Sequence, residues 1–328
     1  MIRFGVIGTN WITDRFIQSA METDQFALTA VYSRTEEKGR SFAAQYDAPE
    51  VFTDLHEMAS SNLVDAVYIA SPNSFHARQA IICMNHGKHV LCEKPIAVNS
   101  RELQEMIESA KENDVLLMEA LKSTLMPNFR TIKDNLYKLG RIRRYFASYC
   151  QYSSRYDAFK EGTVLNAFNP VYAGGSLMDL GIYCLYPVIC LFGKPHTVQA
   201  SGVLLSSGVD GQGSMVLQYD DMDGIIMHSK ITDSYLPAEI QGENGTMVID
   251  KISQPYDVKI YYKDGTIENL TRSQVFQPMF YEAQEFIDLI QSGVRDSAVN
   301  SHEVSLAVTE IMEKARRQIG LEYGADLD

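Results

Sequence analysis

No stretch of this chain approaches the roughly 18 consecutive apolar residues of a membrane-spanning helix, so a membrane-embedded protein is not expected. Basic charge is scarce: 29 Lys and Arg stand against 42 Asp and Glu, a net charge of −13 with a pI near 5.0. That balance argues against a nucleic acid or an anionic membrane surface as partner. Cysteine is sparse as well. Cys83, Cys92, Cys150, Cys184 and Cys190 form an odd, widely spaced set without any C-x-x-C, which reads as reduced core thiols, not a disulfide framework. His76, Cys83, His86, His89 and Cys92 recur at suggestive intervals, but that spacing strings them along a helix and a buried strand, and no metal site is expected. Gly/Ser linkers, internal repeats and low-complexity tracts are also missing, so the two domains that 328 residues call for are expected to pack directly. Met1-Ile2-Arg3-Phe4-Gly5 reads as the start of a strand, not a signal peptide, and the expected compartment is the cytoplasm.

What is present is an ordinary globular composition, 45% apolar and 22% charged. Apolar runs at 2–7, 27–32, 66–70, 89–92 and 115–119 alternate with helical patterns at 12–21, 36–46, 55–60, 75–85 and 100–113. That rhythm predicts a parallel sheet covered by crossover helices. After Pro127 it changes. A helix at 129–138, a long period-2 strand at 141–152 and a helix at 176–192 precede further period-2 segments at 197–205, 214–219, 224–232, 238–241, 246–249, 257–262 and 267–271. Consecutive strands without crossover helices predict an antiparallel sheet; helices at 279–292 and 302–319 close the chain. The expected architecture is α/β: a doubly wound parallel sheet over 1–121, then an α+β domain over 122–328 with a large, mostly antiparallel open sheet. A sheet face uncovered by helices exposes apolar surface, so a homodimer or homotetramer through that sheet is expected.

Gly8-Thr9-Asn10-Trp11-Ile12-Thr13 follows the first strand and opens the first helix, the context of a Rossmann dinucleotide-binding turn. The helix N-terminus supplies oriented N–H groups for a pyrophosphate. Two of the three fingerprint glycines are absent, and Asn10 is expected to stand in for one, since asparagine tolerates the left-handed region. The second strand ends at Ser33-Arg34 with Lys38 nearby, where an NAD-selective site would place a carboxylate. A hydroxyl and two cations suit a 2′-phosphate, so NADP(H) is favoured and NAD(H) stays possible; a plain solvated turn would look the same.

Two further strand ends run into Ala70-Ser71-Pro72-Asn73-Ser74-Phe75-His76 and Glu93-Lys94-Pro95, on the same sheet edge as the phosphate turn. Ligands of open α/β sheets bind beyond the carboxyl ends of strands. A lysine partly desolvated there beside a cationic nicotinamide suits proton transfer near neutral pH. These two segments resemble the Gfo/Idh/MocA oxidoreductase family, and the resemblance covers essentially the whole chain. It implies that Lys94 is the catalytic or substrate-binding cation, that the Lys94-Pro95 bond is often cis, and that Asn73 and His76 line the cofactor beside Ala70, Ser71, Pro72 and Glu93. A satisfied helix-start histidine is the plainer account of His76. Gly174-Gly175-Ser176-Leu177-Met178-Asp179-Leu180-Gly181-Ile182-Tyr183 is similar to the family's second motif, with Asp179 and Tyr183 four apart on one helical face. By resemblance Asp179 orients the lysine or substrate and Tyr183 exchanges a proton, although Ser176-x-x-Asp179 is also a near capping box. Tyrosine at the last position makes the chain look like the dimeric dihydrodiol dehydrogenase and glucose-fructose oxidoreductase branch. Lys122 and Thr124 occupy places where such relatives often carry Trp and Arg. The implied reaction is hydride transfer between a nicotinamide and a hydroxyl- or carbonyl-bearing carbon of a sugar, polyol or related molecule. A cofactor-retaining enzyme that uses transient redox for glycoside cleavage or epimerisation, and a non-catalytic cofactor sensor, stay open beside it.

Overall fold

The computed structural model describes residues 1–275 and 277–327. The chain divides into two compact units, Met1–Leu121 with Gln277–His302, and Lys122–Phe276 with Glu303–Asp328.

The first unit is built on six parallel strands: β1 (Ile2–Ile7), β2 (Phe26–Tyr32), β3 (Glu50–Phe52), β4 (Ala66–Ile69), β5 (His89–Glu93) and β6 (Leu117–Ala120). Their order is β3-β2-β1-β4-β5-β6, so the winding reverses between β1 and β4. Parallel neighbours need crossovers, and α1 (Trp11–Ala20), α2 (Glu36–Ala43), α3 (Leu55–Ser60), α4 (His76–Met84) and α5 (Ser100–Glu112) supply them. β4, β6 and most of β5 are buried on both faces, as strands of a doubly covered sheet must be. A single boundary at 121/122 misses one return of the chain. Helix Phe280–Ser292 packs back on α1, with the Phe286 ring 5.9 Å from that of Phe4, because its apolar stripe of Ala283, Phe286 and Ile287 is buried there. β3 was not foreseen either; three residues are too few for a period-2 signal.

The second unit holds an eight-stranded sheet: β7 (Ile142–Cys150), β8 (Thr197–Leu204), β9 (Asp210–Gln218), β10 (Asp223–Ser229), β11 (Ala238–Gly242), β12 (Gly245–Ile249), β13 (Val258–Tyr262) and β14 (Ile267–Asn269), in the order β14-β13-β12-β11-β7-β10-β9-β8. All pairs are antiparallel except β10 with β7. The sheet is thus mostly antiparallel, as expected; the one parallel pair arises because the segment between β7 and β8, ending in the helix Ile182–Phe192, is a crossover. Along the strands alternate residues face the core: Tyr145, Met215, Leu217, Ile226 and Ile240 are at most 1% exposed. Their neighbours Phe146, Val216, Ile225 and Met227 are half-buried or exposed. The predicted helix 176–192 is a π-helical turn, Leu177–Gly181, running into an α-helix, Ile182–Phe192. The stretch Pro170–Phe192 is, against the sequence expectation, long and apolar enough by composition to cross a bilayer, but most of it is buried within the protein. Among the described residues no three His, Cys, Asp or Glu side chains converge as metal ligands.

Candidate cofactor and active site

The three turns singled out in the sequence leave the carboxyl ends of β1, β4 and β5, adjacent strands at the reversal of strand order. Gly8 has φ +109°, and a Cβ there would stand 2.7 Å from the Ala70 carbonyl oxygen, so only glycine lets the β1 and β4 ends meet. Asn10 does not occupy the left-handed region as expected. It is extended (φ −116°, ψ 175°) and caps α1, its Oδ1 accepting from the amides of Ile12 at 2.9 Å and Thr13 at 3.4 Å. Its Nδ2 donates to the Ala70 carbonyl at 2.8 Å, which ties the turn to the end of β4. Gly8 alone carries the strain. The amides of Asn10 and Trp11 have no hydrogen-bond partner among the described residues, so this helix start retains donors for an anion. Thr9 and Ile12 are half-buried beside them, while Trp11 is exposed under the Arg15 guanidinium, 5.1 Å from its ring centroid.

At the end of β2, Ser33 is buried and its Oγ accepts from the Thr35 amide at 3.4 Å. Arg34 and Lys38 are exposed and form no ion pair among the described residues, whereas Glu36 is engaged by Arg40. Two cations beside a hydroxyl, neither of them ion-paired among the described residues, is the electrostatics a phosphomonoester selects.

The β4 and β5 turns are braced by buried polar groups. His76 is 1% exposed; Nε2 lies 2.9 Å from the Ser71 carbonyl oxygen and Nδ1 lies 2.9 Å from that of Pro95. Burial pushes its pKa below the usual histidine value, and the Lys94 charge adds to that. A neutral imidazole carries one N–H, so His76 donates to one of these two carbonyls and is packed against the other; buried between the two turns, it is closer to a structural histidine than to a group presented to a cofactor. Ser71 Oγ donates to Gln79 at 2.7 Å, and Pro72 and Asn73 are half-buried where a short 3₁₀ turn, Asn73–Phe75, opens α4. The Lys94-Pro95 peptide is cis. Around it Glu93, 7% exposed, accepts from the Tyr68 hydroxyl at 2.6 Å and from the Lys94 amide at 3.2 Å. Tyr68 is fully buried and stacks on Phe16 with centroids 3.7 Å apart. Glu119 Oε1 accepts from the Ile96 amide at 3.0 Å. Glu93, expected beside the cofactor, thus has both carboxylate oxygens on the protein's own donors, and Lys94, half-buried, projects from a turn held on both sides.

In the second unit Gly175 (φ +129°) precedes the π turn, whose closing bond runs from the Ile182 amide to the Leu177 carbonyl. π turns inside helices cluster at functional sites. The turn's start is gripped from below: Asp210, fully buried, accepts from the Leu177 amide at 2.7 Å, and Ser176 Oγ lies 2.9 Å from His228 Nδ1. Burial raises the Asp210 pKa to about 6 and lowers that of His228 to about 3. Asp179 pairs with Lys230, a side chain 4% exposed that the sequence reading passed over. The signal was available: a lysine at the end of an apolar strand must be buried with a counter-charge or exposed. Tyr183, four residues on, is half-buried with its ring edge-on to Tyr149 at 5.7 Å. The near capping box of Ser176 and Asp179 is not formed, because both side chains turn to other partners.

Residues 2–121 match the family model described as "Oxidoreductase family, NAD-binding Rossmann fold", and 134–248 match "GFO/IDH/MocA C-terminal domain". The chain is 57% identical over 326 residues to scyllo-inositol 2-dehydrogenase (NADP(+)) IolU of Bacillus subtilis (strain 168), covering 99% of each chain. It is 29% identical to trans-1,2-dihydrobenzene-1,2-diol dehydrogenase of Mus musculus, again over 99% of each. A solved structure of KijD10, a 3-ketoreductase from Actinomadura kijaniata in complex with NADP and TDP-benzene, superposes with a TM-score of 0.84 at 22% identity, covering 97% of this chain and 98% of that one; it shows the shared fold.

Proposed function

Because the chain belongs to the Gfo/Idh/MocA oxidoreductase family, we propose that it is an NADP(H)-dependent dehydrogenase of a cyclic polyol of the inositol type, exchanging a hydride between nicotinamide and a ring carbon bearing hydroxyl or carbonyl. One observation carries the substrate class: 57% identity along the whole length of an enzyme named for scyllo-inositol and NADP(+). The cofactor has independent support in Arg34 and Lys38, which form no ion pair among the described residues, beside buried Ser33, and in the Asn10 and Trp11 amides, which have no hydrogen-bond partner among the described residues. Gly8, Thr9, Asn10, Trp11 and Ile12 would border the pyrophosphate, Ser33, Arg34 and Lys38 the 2′-phosphate, and Ala70 to Asn73 the nicotinamide side, with His76 and Glu93 bracing the turns. When bound, the cofactor supplies hydride chemistry; the protein supplies position and charge. In this reading Lys94 and Tyr183 hold and move the hydroxyl proton and Asp179 orients substrate. The protein would act in the cytoplasm, as a homodimer or homotetramer through the open face carrying Phe146, Val216, Ile225 and Met227.

Fluorescence titration of the protein with NADPH and NADH tests the cofactor assignment. NADPH is expected to bind more tightly, and Arg34→Ala to weaken NADPH by about tenfold, the worth of one charge-assisted hydrogen bond, while NADH binding stays level. Equal losses for both nucleotides would assign Arg34 to adenine stacking or to general attraction instead. A screen of inositol stereoisomers with the preferred nucleotide then tests the substrate class.

A further inference from the structure

Lys230 is one of the buried charged residues of the second unit, with Asp210 and Arg316, that the proposed chemistry leaves unused. Lys230 follows β10, donates its amide to the Gly211 carbonyl at 2.8 Å, and places Nζ on Asp179 and 5.7 Å from the centroid of the Phe168 ring. A lysine this deep costs several kcal/mol unless an anion meets it. The ionisable groups around it are few. Asp210, from β9, is committed to the Leu177 amide and lies 3.7 Å from His228 of β10, which faces Ser176. Tyr323, from the C-terminal segment, gives its hydroxyl to the Gly174 carbonyl at 2.5 Å. Asp210 also feels the lysine's charge, but Asp179 is the group in ion-pair contact with it. The pair is asymmetric: the Lys230 side chain is 5% exposed and that of Asp179 is 43% exposed. The cation lies inside, and the carboxylate reaches outward from the π turn one helical turn before Tyr183.

We propose that Lys230 is a positioning residue that holds Asp179 ionised and fixed from beneath, so that the outward side of this carboxylate accepts a hydrogen bond from a hydroxyl of an uncharged polyol. The proposal rests on the polyol dehydrogenase reading and narrows it, because a fixed anion favours hydroxyl donors and repels substrates that carry a carboxylate of their own. Lys230 reaches the reaction only through Asp179. Its loss therefore acts on the carboxylate's protonation and geometry, not on the cofactor.

The test uses the full chain with ¹³C-labelled aspartate carboxyls, titrated by NMR in wild type, Lys230→Met and Lys230→Arg, with Asp179→Asn assigning the resonance. The Asp179 resonance is expected to titrate at higher pH in Lys230→Met than in wild type, and near wild type in Lys230→Arg, because the Lys230 charge is lost in the first and kept in the second. If Lys230→Met does not fold, Lys230→Gln replaces it and is read in the same way. With an active polyol, kcat is expected to fall about 10- to 100-fold in the apolar variant, from a misplaced group. The acid limb of kcat/KM should move up with the carboxyl, NADPH affinity should stay within about threefold, and arginine should restore most of the rate. An Asp179 resonance that titrates identically with and without Lys230 overturns the proposal even if polyols turn over. A shifted resonance in a protein that oxidises no polyol overturns the polyol reading instead and leaves the pairing intact.

Discussion

Replacing Lys94 with alanine is expected to lower kcat about 10²- to 10⁴-fold, the range for a lost proton-transfer group, with little change in the folding transition or in NADPH affinity. The reason lies in how the turn is made. Glu93 is bound by Tyr68, the Ile96 amide by Glu119, and the Pro95 carbonyl by His76, so three buried groups fix the backbone on either side of residue 94 and none of them needs the lysine's side chain. The truncated variant should keep the turn's scaffold and lose only the cation. Circular dichroism, nucleotide titration and steady-state kinetics separate the two effects. Turnover near the wild-type rate in a folded Lys94→Ala protein would remove Lys94 from the chemistry.

Gly175→Ala is expected to destabilise the protein by about 3 kcal/mol or more, lowering Tm by roughly 6–12 °C for a unit of this size. A glycine-to-alanine change in compatible backbone stabilises by about 0.4–1 kcal/mol through the unfolded chain, so the sign is diagnostic. At Gly175 two costs add. The backbone sits at φ +129°, which side-chain-bearing residues rarely adopt, and the new Cβ would stand 2.2 Å from Asp210 Oδ1. Asp210 is fully buried and holds the Leu177 amide, so it cannot yield without unmaking the start of the π turn. Gly162, at φ +90° with nothing within 4 Å of its would-be Cβ, is the control. Alanine there should cost about 1–2 kcal/mol of backbone strain alone. Equal losses at the two positions, followed by thermal unfolding, would deny Asp210 the role of a fixed floor beneath Asp179.

The period-2 and helical patterns placed most elements within a few residues, because a doubly covered parallel sheet writes unbroken apolar runs and a one-sided sheet writes alternation. Topology was less legible. Nothing local distinguishes β10's parallel pairing with β7 from an antiparallel one, since the difference lies in the path of the intervening chain, and the return of Phe280–Ser292 to the first unit depends on contacts with Phe4 some 280 residues away in sequence. At the site, chemistry-bearing residues were legible as motifs, but their division of labour was not. His76 and Glu93 look alike on paper to ligand-facing groups, and only their partners turn them into braces. Asn10 was read as a backbone device and acts through its side chain. Lys230 belongs to no motif and shows its meaning only through burial beside Asp179.

The most direct test of the account is isotopic: scyllo-inositol deuterated at its ring carbons is incubated with the purified protein and NADP⁺, and the deuterium is located by NMR. The account predicts NADPH carrying one deuterium at C4 of the nicotinamide, formed stoichiometrically with the ring ketone. Deuterium that stays in the polyol or washes into solvent, with no reduced nucleotide formed, would contradict it.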